Sequence, residues 1–170
     1  IFKAYDVRGT VPDQLNPEIA RALGAAFARF AGAPTIVVAR DMRESGVPLG
    51  AAFAEGVTAQ GVNVVDAGLG STDLLYYAAG SMDVPGAMFT ASHNPAKYNG
   101  IKLCLAGAKP VGQESGLVTI REEAESFARI LSGLSRSVSE DAILGAIVEE
   151  LAASTGADHI VVARQRPEAR

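Results

Sequence analysis

The feature that most constrains this fold is a series of short apolar runs that alternate with helical patterns. Thr35–Ala39 is a continuous apolar and β-branched run, which is typical of a strand buried on both faces of a sheet. Val62–Val65 has the same pattern and predicts a second buried strand. Further strands are predicted at Ile1–Tyr5, which ends in a turn at Asp6 and Arg8-Gly9, and at Gly86–Phe89 and Ile101–Leu105.

Helical patterns fill the segments between these strands. Asn16-Pro17 is typical of a helix start, because the asparagine side chain can cap the first turn and proline fits its first position. Helices are predicted over Ile19–Phe30, Leu49–Val57 (ending near Gly61), Thr72–Ala79, Leu117–Leu131 and Ile143–Leu151, and one more strand over His159–Ala163. Strands that alternate with helices across short loops predict an α/β fold, in which helices layer on a mainly parallel, mixed central sheet.

Composition narrows the class of protein. The chain has 170 residues, of which 48% are hydrophobic and 20% charged, and this suits one folded domain. Its net charge of −4 gives no electrostatic reason to expect nucleic acid or an anionic membrane as a partner. Cys104 is the single cysteine, so no intramolecular disulfide forms. No apolar run is as long as a membrane span and no signal-peptide pattern opens the chain, so a cytoplasmic location is expected.

The segments to search for chemistry are those that follow strands, because ligands of α/β sheets bind at the carboxyl ends of strands. They are Tyr5–Gly9, Arg40–Gly46, Asp66–Thr72 and Thr90–Gly100. The last is the most informative, since it combines a hydroxyl, an imidazole, two amides and a cation. Asn99-Gly100 favours positive φ, and so a shaped loop that presents the Ser92 hydroxyl to an anion is expected. The alternative is a polar connection in which Ser92 only makes a turn.

Other serine chemistries fit this loop poorly. A nucleophile elbow needs glycines two residues either side of the serine, where this chain has Thr90 and Asn94. In a Ser-His-Asp triad the fold brings the histidine close, whereas His93 is the immediate neighbour of Ser92. A hydrolase is therefore disfavoured.

Two other segments imitate ligand sites. Asp66–Thr72 resembles a dinucleotide fingerprint, but Asp73 stands where the third glycine belongs, so a tight turn capped by Ser71 or Thr72 is expected instead. Arg40–Arg43 suits an anion, although an Arg–Asp pair that holds the loop is the more frequent outcome. Two histidines and one cysteine do not furnish a zinc site, and His159 is expected to be structural.

Three of these segments resemble a known family. Tyr5–Gly9, Arg40–Gly46 and Thr90–Lys102 are similar, in order and spacing, to the first domain of the α-D-phosphohexomutases, which include phosphomannomutases and phosphoglucomutases. The resemblance covers about Ile1 to Arg129. It departs at Glu44, where the family usually has proline.

The resemblance implies a reaction and a set of residues. It makes Ser92 the phosphoryl carrier, which passes its phosphoryl group to a hexose phosphate, forms a bisphosphate and takes the other phosphate back. Hexose 1-phosphate and 6-phosphate are thereby interconverted. His93 and Lys102 would complete the catalytic set by handling the hydroxyl proton and stabilising phosphoryl charge. Substrate or phosphate binding is assigned to Tyr5, Arg8 and Asn94.

The resemblance also implies missing parts. Residues 1–131 would form the first of four domains, and residues 132–170, serine-rich and polar at Ser132–Ser139, a linker and tail that match nothing recognisable. Mg²⁺ would contact Ser92 only through its phosphoryl group, with an aspartate-rich loop of another domain as its main ligand.

Several alternatives stay open. Hexose phosphate is the expected partner, with downstream domains of the same enzyme, and without them the chain is expected to be inactive. The choice between mannose and glucose stays open, because the sugar-reading loop belongs to a third domain. The main alternative is an isolated or degenerate module that binds sugar phosphate without turnover, and another is a loop that is only inherited shape.

Overall fold

A computed structural model describes residues 1–136 and 140–155. The chain divides into two compact units, Ile1–Glu125 and Ser126–Arg170. The strands are β1 (Val7–Thr10), β2 (Thr35–Arg40), β3 (Asn63–Leu69), β4 (Gly86–Phe89), β5 (Tyr98–Leu105) and β6 (Lys109–Pro110). The α-helices are α1 (Pro17–Ala31), α2 (Gly46–Thr58), α3 (Thr72–Met82), α4 (Leu117–Arg136) and α5 (Glu140–Thr155), and short 3₁₀ turns occupy Ala106–Ala108 and Gln113–Ser115.

All six strands belong to one mixed sheet in the first unit. Its order is β1-β5-β4-β2-β3, and β6 pairs with β5. Strand β2 is parallel to β3 and β4, whereas β5 is antiparallel to β1, β4 and β6. Five strands therefore share one direction and only β5 opposes them, which confirms the predicted mainly parallel, mixed sheet.

Helices cover both faces of this sheet. On one face the Phe53 ring of α2 meets the Phe89 ring of β4 edge-on, with the ring centroids 5.5 Å apart. Phe27 of α1 packs on Phe53 from the other side, at 6.2 Å between centroids. On the opposite face, Leu75 and Ala79 of α3 pack in one buried cluster with Val37, Ala39, Met88 and Cys104. Because neighbouring residues of a strand face opposite sides, Met88 and Phe89 of β4 serve the two cores.

The helix starts agree with the local sequence. The Asn16 side chain accepts a hydrogen bond from the Ile19 N–H at 3.0 Å, and Pro17 opens α1. Ser71 caps α3 in the same way, accepting from the Leu74 N–H at 3.3 Å. Gly70 and Ser71 thus form the predicted capped strand-to-helix connection, between β3 and α3.

Two predicted strands need correction. Ile1–Tyr5 contributes only a bridge from Phe2 to Val7, and the strand itself is Val7–Thr10. Asp6 lies in a bend as predicted, but Arg8-Gly9 is extended, because β5 supplies backbone partners that local sequence does not reveal. The strand predicted at Val62–Val65 is present as the start of β3, but the prediction that it is buried was wrong, since Val65 is 36% exposed. Strand β3 runs to Leu69 on the sheet edge, with Leu69 61% exposed.

The C-terminal part also differs from expectation. Helix α4 continues to Arg136, so the first part of the predicted Ser132–Ser139 linker is helical, while residues 137–139 lie outside the described residues. The predicted helix over Ile143–Leu151 is confirmed as part of α5. The strand predicted at His159–Ala163 lies outside the described residues. None of the helices in the described part of the chain is long and apolar enough to cross a membrane.

Candidate functional site

The serine loop, residues Thr90–Lys97, connects the carboxyl end of β4 to β5. Ala91 is buried, whereas Ser92 and His93 are exposed. The loop therefore lies at the carboxyl end of β4. Ser92 stands outside the core.

The positive φ expected at Asn99-Gly100 is a wrong prediction. Both residues are extended within β5, where they pair with Gly9 and Arg8 of β1. Gly100 is needed for a different reason, since a Cβ at this position would lie 2.9 Å from the Thr90 carbonyl oxygen. A glycine therefore allows three strands to approach closely beneath the serine loop.

The left-handed residue of the loop is Ser92 itself. Its φ is +53°, a conformation that residues with a Cβ seldom adopt. Its N–H donates to Thr90 Oγ1 at 3.0 Å, and its own Oγ lies 3.1 Å from Nδ1 of His93. When Nδ1 carries no proton, the Ser92 hydroxyl can donate to it. Strained backbone of this kind concentrates at functional sites.

Arg43 holds the loop from the neighbouring strand end. Its guanidinium donates to four backbone carbonyl oxygens: from Nη1 to Pro95 at 3.0 Å and Tyr98 at 2.9 Å, and from Nη2 to Ser92 at 2.8 Å and Asn94 at 2.7 Å. Only 8% of this side chain is exposed. Arg43 is therefore a structural part of the loop.

Asp41 links Arg43 to the start of the loop. Its Oδ2 accepts from Arg43 Nε at 3.3 Å and from the Thr90 hydroxyl at 2.7 Å, and its Oδ1 accepts from the Arg43 N–H at 2.9 Å. The expectation of an Arg–Asp pair that holds a loop is thus confirmed for Arg40–Arg43. Thr90, which no sequence pattern singled out, lies between this pair and Ser92.

Asn94 and Tyr5 were both expected to bind substrate or phosphate. The Asn94 side-chain nitrogen donates to the Ala91 carbonyl at 2.8 Å, so it stabilises the turn of the loop. Tyr5 is 76% exposed and lines a small hollow with Gln113 and Ser115. Its ring is therefore accessible to a ligand, whereas the amide nitrogen of Asn94 is engaged.

Two cations share one carboxylate near the same end of the sheet. Asp6 Oδ2 lies 2.6 Å from Arg8 Nη2 and 3.7 Å from Lys102 Nζ. The cluster of Asp6, Arg8 and Lys102 carries two positive charges against one negative. Arg8 Nε is buried without a hydrogen-bond partner. A surplus positive charge suits an anionic ligand.

Strand register relates this cluster to the serine loop. Arg8 is opposite Gly100 in the sheet, and the Gly100 carbonyl accepts from the Thr90 N–H at 3.0 Å. Two strand spacings, about 10 Å, therefore separate the backbones of Arg8 and Thr90. Lys102 is opposite Met88, two residues further along β5 than Gly100. Sequence reasoning overlooked Asp6, although it stands between Tyr5 and Arg8.

The described residues do not form a metal site by themselves. No group of three or more His, Cys, Asp or Glu side chains among them is arranged to hold an ion. Two carboxylates at this end of the sheet, Asp6 and Asp41, are each paired with cations. Mg²⁺ prefers several free hard oxygens, so these residues do not fit a Mg²⁺ ion without further ligands.

Cys104 is not a competing nucleophile. Its thiol is buried in the α3-side core, and burial raises its pKa, against a smaller lowering by a hydrogen bond from the Gly86 backbone. Burial likewise raises the pKa of Tyr76, with Cys104 adding to the shift. Both groups therefore stay protonated near neutral pH.

Fold and site together define a three-layer α/β domain that presents a serine hydroxyl at the sheet end that carries Arg8 and Lys102. Residues 1–128 match the family model described as phosphoglucomutase/phosphomannomutase, alpha/beta/alpha domain I. The chain belongs to this phosphoglucomutase/phosphomannomutase family.

Individual relatives agree with the family match. A phosphomannomutase of Escherichia coli strain K12 is 40% identical over 126 residues, which are 74% of this chain and 28% of that protein. A Klebsiella pneumoniae phosphomannomutase is 42% identical over 125 residues, covering 73% of this chain and 80% of that protein. The crystal structure of a phosphoglucomutase/phosphomannomutase family protein from Burkholderia thailandensis superposes with a TM-score of 0.67 at 35% identity, over 74% of this chain and 30% of that one. The chain thus spans little more than a quarter of the Escherichia coli relative.

Proposed function

We propose that this chain is the first domain of a phosphohexomutase that interconverts hexose 1-phosphate and hexose 6-phosphate, with Ser92 as phosphoryl carrier and a hexose bisphosphate as intermediate. The observation that carries the proposal is the Ser92 hydroxyl, exposed on a left-handed residue at the end of β4 and 3.1 Å from His93 Nδ1. A serine held by its backbone, with its hydroxyl exposed beside a possible proton acceptor, suits a covalent carrier.

A proton and the phosphoryl group replace each other on Ser92 Oγ in this scheme. As the phosphoserine donates, its P–Oγ bond breaks and a bond forms from phosphorus to the attacking sugar oxygen. The sugar hydroxyl releases its proton to solvent, and Ser92 Oγ gains a proton, which His93 can supply from Nδ1. In the return step Ser92 Oγ attacks the other phosphorus of the bisphosphate and gives its proton to His93. The bond from that phosphorus to the sugar oxygen breaks, and this oxygen takes a proton from solvent. The hydrogen bond between the two side chains matches both roles.

Arg8 and Lys102 would stabilise the charge of the group in transfer. Phosphoryl transfer depends mainly on positioning and on positive charge around the equatorial oxygens. Asp6 orients both cations and neutralises only one of their two charges. Tyr5, exposed on the same N-terminal segment, would contact the sugar phosphate.

The remaining parts of the enzyme would come from elsewhere in a longer protein. The relatives from Escherichia coli are more than three times as long as the matched segment, which supports further domains downstream. Residues 1–131 would be the first domain and residues 132–170 the connection onward. Mg²⁺, which the family implies, would supply positive charge to the phosphoserine, and Ser92 is this chain's only proposed contact with it, through the phosphoryl oxygens.

Phosphopeptide mapping tests the proposal. The complete enzyme is incubated with a hexose bisphosphate labelled in its phosphates, digested and sequenced. We expect the label on the peptide that contains Thr90–Lys97, at Ser92. Label at any other residue contradicts the assignment. Binding of hexose phosphate with no label and no turnover would favour the alternative, a sugar-phosphate-binding module.

The isolated chain is expected to bind Mg²⁺ only weakly and to lack mutase activity. The reason is that the described residues contain no group of three or more His, Cys, Asp or Glu side chains arranged to hold an ion, and that Asp6 and Asp41 are paired with cations. Isothermal titration with MgCl₂ and a coupled assay for hexose phosphate isomerisation measure both properties. Tight, saturable Mg²⁺ binding or sustained turnover by the 170-residue chain would contradict this expectation.

A further inference from the structure

We propose that Arg43 is the positioning residue of Ser92, which it holds in the left-handed conformation through a closed ring of hydrogen bonds without contacting substrate. The catalytic consequence rests on the proposed function of Ser92, whereas the geometry does not. Arg43 lies 49 residues before Ser92 in the sequence.

The donor count excludes Arg43 from direct substrate binding. A guanidinium has five N–H donors. Nε donates to Asp41, Nη1 donates to Pro95 and Tyr98, and Nη2 donates to Ser92 and Asn94. All five donors are therefore engaged within the protein. Since the side chain is also only 8% exposed, a substrate phosphate would have to break the loop to reach it.

The hydrogen bonds close into a ring around the Ser92 backbone. The Ser92 N–H donates to Thr90 Oγ1, and the Thr90 hydroxyl donates to Asp41 Oδ2. Arg43 Nε donates to that same Oδ2, and Arg43 Nη2 returns to the Ser92 carbonyl at 2.8 Å. Both backbone polar groups of Ser92 are thus fixed by one connected set of side chains.

This ring opposes a local preference. Left-handed backbone is unfavourable for a residue with a Cβ, so an unsupported Ser92 would relax to negative φ. Relaxation would redirect Cβ and the hydroxyl. The planar fork of arginine suits the four carbonyls, whereas lysine offers three donors from one point and cannot span them. A lysine at position 43 would keep the charge and lose the geometry.

NMR of the 170-residue chain tests the geometry directly. The three-bond H–N–Cα–H coupling and the Cα and Cβ shifts of Ser92 report the sign of φ. We expect the positive-φ signature in the wild type and its loss in Arg43→Lys, with the spectrum of β2 and α2 preserved. Arg21→Lys is the matched control, because Arg21 pairs with Glu55 on α1 and α2 and its replacement should leave Ser92 unchanged. A folded Arg43→Lys chain that retains the signature would overturn the proposal.

A second pair of variants tests the hydrogen-bond ring around Ser92 if Arg43→Lys fails to fold. Thr90→Val removes the hydroxyl that joins Asp41 to the Ser92 N–H, and Thr90→Ser keeps it. We expect the Ser92 signature to be lost in the valine variant and restored in the serine variant. Equal signatures in the two would also overturn the proposal.

Kinetics of the complete enzyme separate this inference from the proposed function. In Arg43→Lys the rate of Ser92 labelling by hexose bisphosphate should fall about 100-fold, because the reacting hydroxyl is misplaced. The bisphosphate concentration that gives the half-maximal rate should not change. A rise in that concentration at unchanged maximal rate would make Arg43 a substrate ligand and contradict the proposal. If the wild type takes no label, the proposed function fails, and the NMR result still decides the role of Arg43.

Discussion

Replacing Ser92 with alanine is expected to abolish hexose phosphate interconversion by the complete enzyme while leaving its stability nearly unchanged. Without Oγ there is no atom to carry the phosphoryl group between the two half-reactions. The hydroxyl contributes little to folding, because it is exposed and its one hydrogen bond is to the neighbouring His93. We expect a change in the free energy of unfolding within about half a kcal/mol. Coupled assays and thermal unfolding measure the two quantities.

Ser81→Ala is the matched control for this variant. Ser81 is an exposed serine near the end of α3, and it lies outside the serine loop. Its replacement should preserve both turnover and stability. The carrier role of Ser92 would be wrong if Ser92→Ala retained a substantial share of the wild-type rate. A trace of activity would be tolerable, since water or a nearby hydroxyl can accept a phosphoryl group inefficiently.

Replacing Lys102 with alanine should reduce turnover by about 10²–10³-fold and leave measurable activity, as removal of one charge-stabilising donor does in other enzymes. The carrier would still be present, so labelled Ser92 should still form, only more slowly. Stability should change little, because Asp6 keeps its shorter contact with Arg8 at 2.6 Å and is not left unpaired. Steady-state kinetics and the labelling rate provide the measurements.

Lys109→Ala provides the comparison for Lys102. Lys109 is an exposed lysine on β6, whose strand pairs with the far end of β5. Its loss removes the same charge from the protein as a whole, so a general electrostatic effect would appear in both variants. An equal decrease in the two, or a Lys102→Ala rate within a factor of about two of the wild type, would argue against direct charge stabilisation by Lys102.

The helix starts and the central strands could be predicted from sequence because their causes are local. Asn16 and Ser71 cap their helices through hydrogen bonds that span three residues. Thr35–Ala39 is a buried strand because its side chains are apolar on both faces. The edge position of β3 could not be predicted in this way, since the apolar run of Val62–Val65 does not reveal how many neighbours a strand has.

The candidate site was also predictable from sequence only in part. The residue types of the Thr90–Lys102 segment, and their resemblance to one family, were sufficient to single out Ser92, His93 and Lys102, whose roles remain predictions. Asn99-Gly100, by contrast, was expected to turn and is instead part of β5. The strain lies at Ser92, which no local propensity would place at positive φ.

The sequence by itself determined the α/β class, the family and the identity of the serine loop, because these depend on residue type and order. Only the tertiary structure decided how Ser92 is held. Arg43 donates to carbonyls 49 to 55 residues away, and Asp41 accepts from a threonine 49 residues away. Such partners become neighbours when parallel β2 and β4 bring their carboxyl ends together. Hydrogen bonds to backbone carbonyls cannot be predicted from the type of the accepting residue, since every residue offers the same carbonyl oxygen.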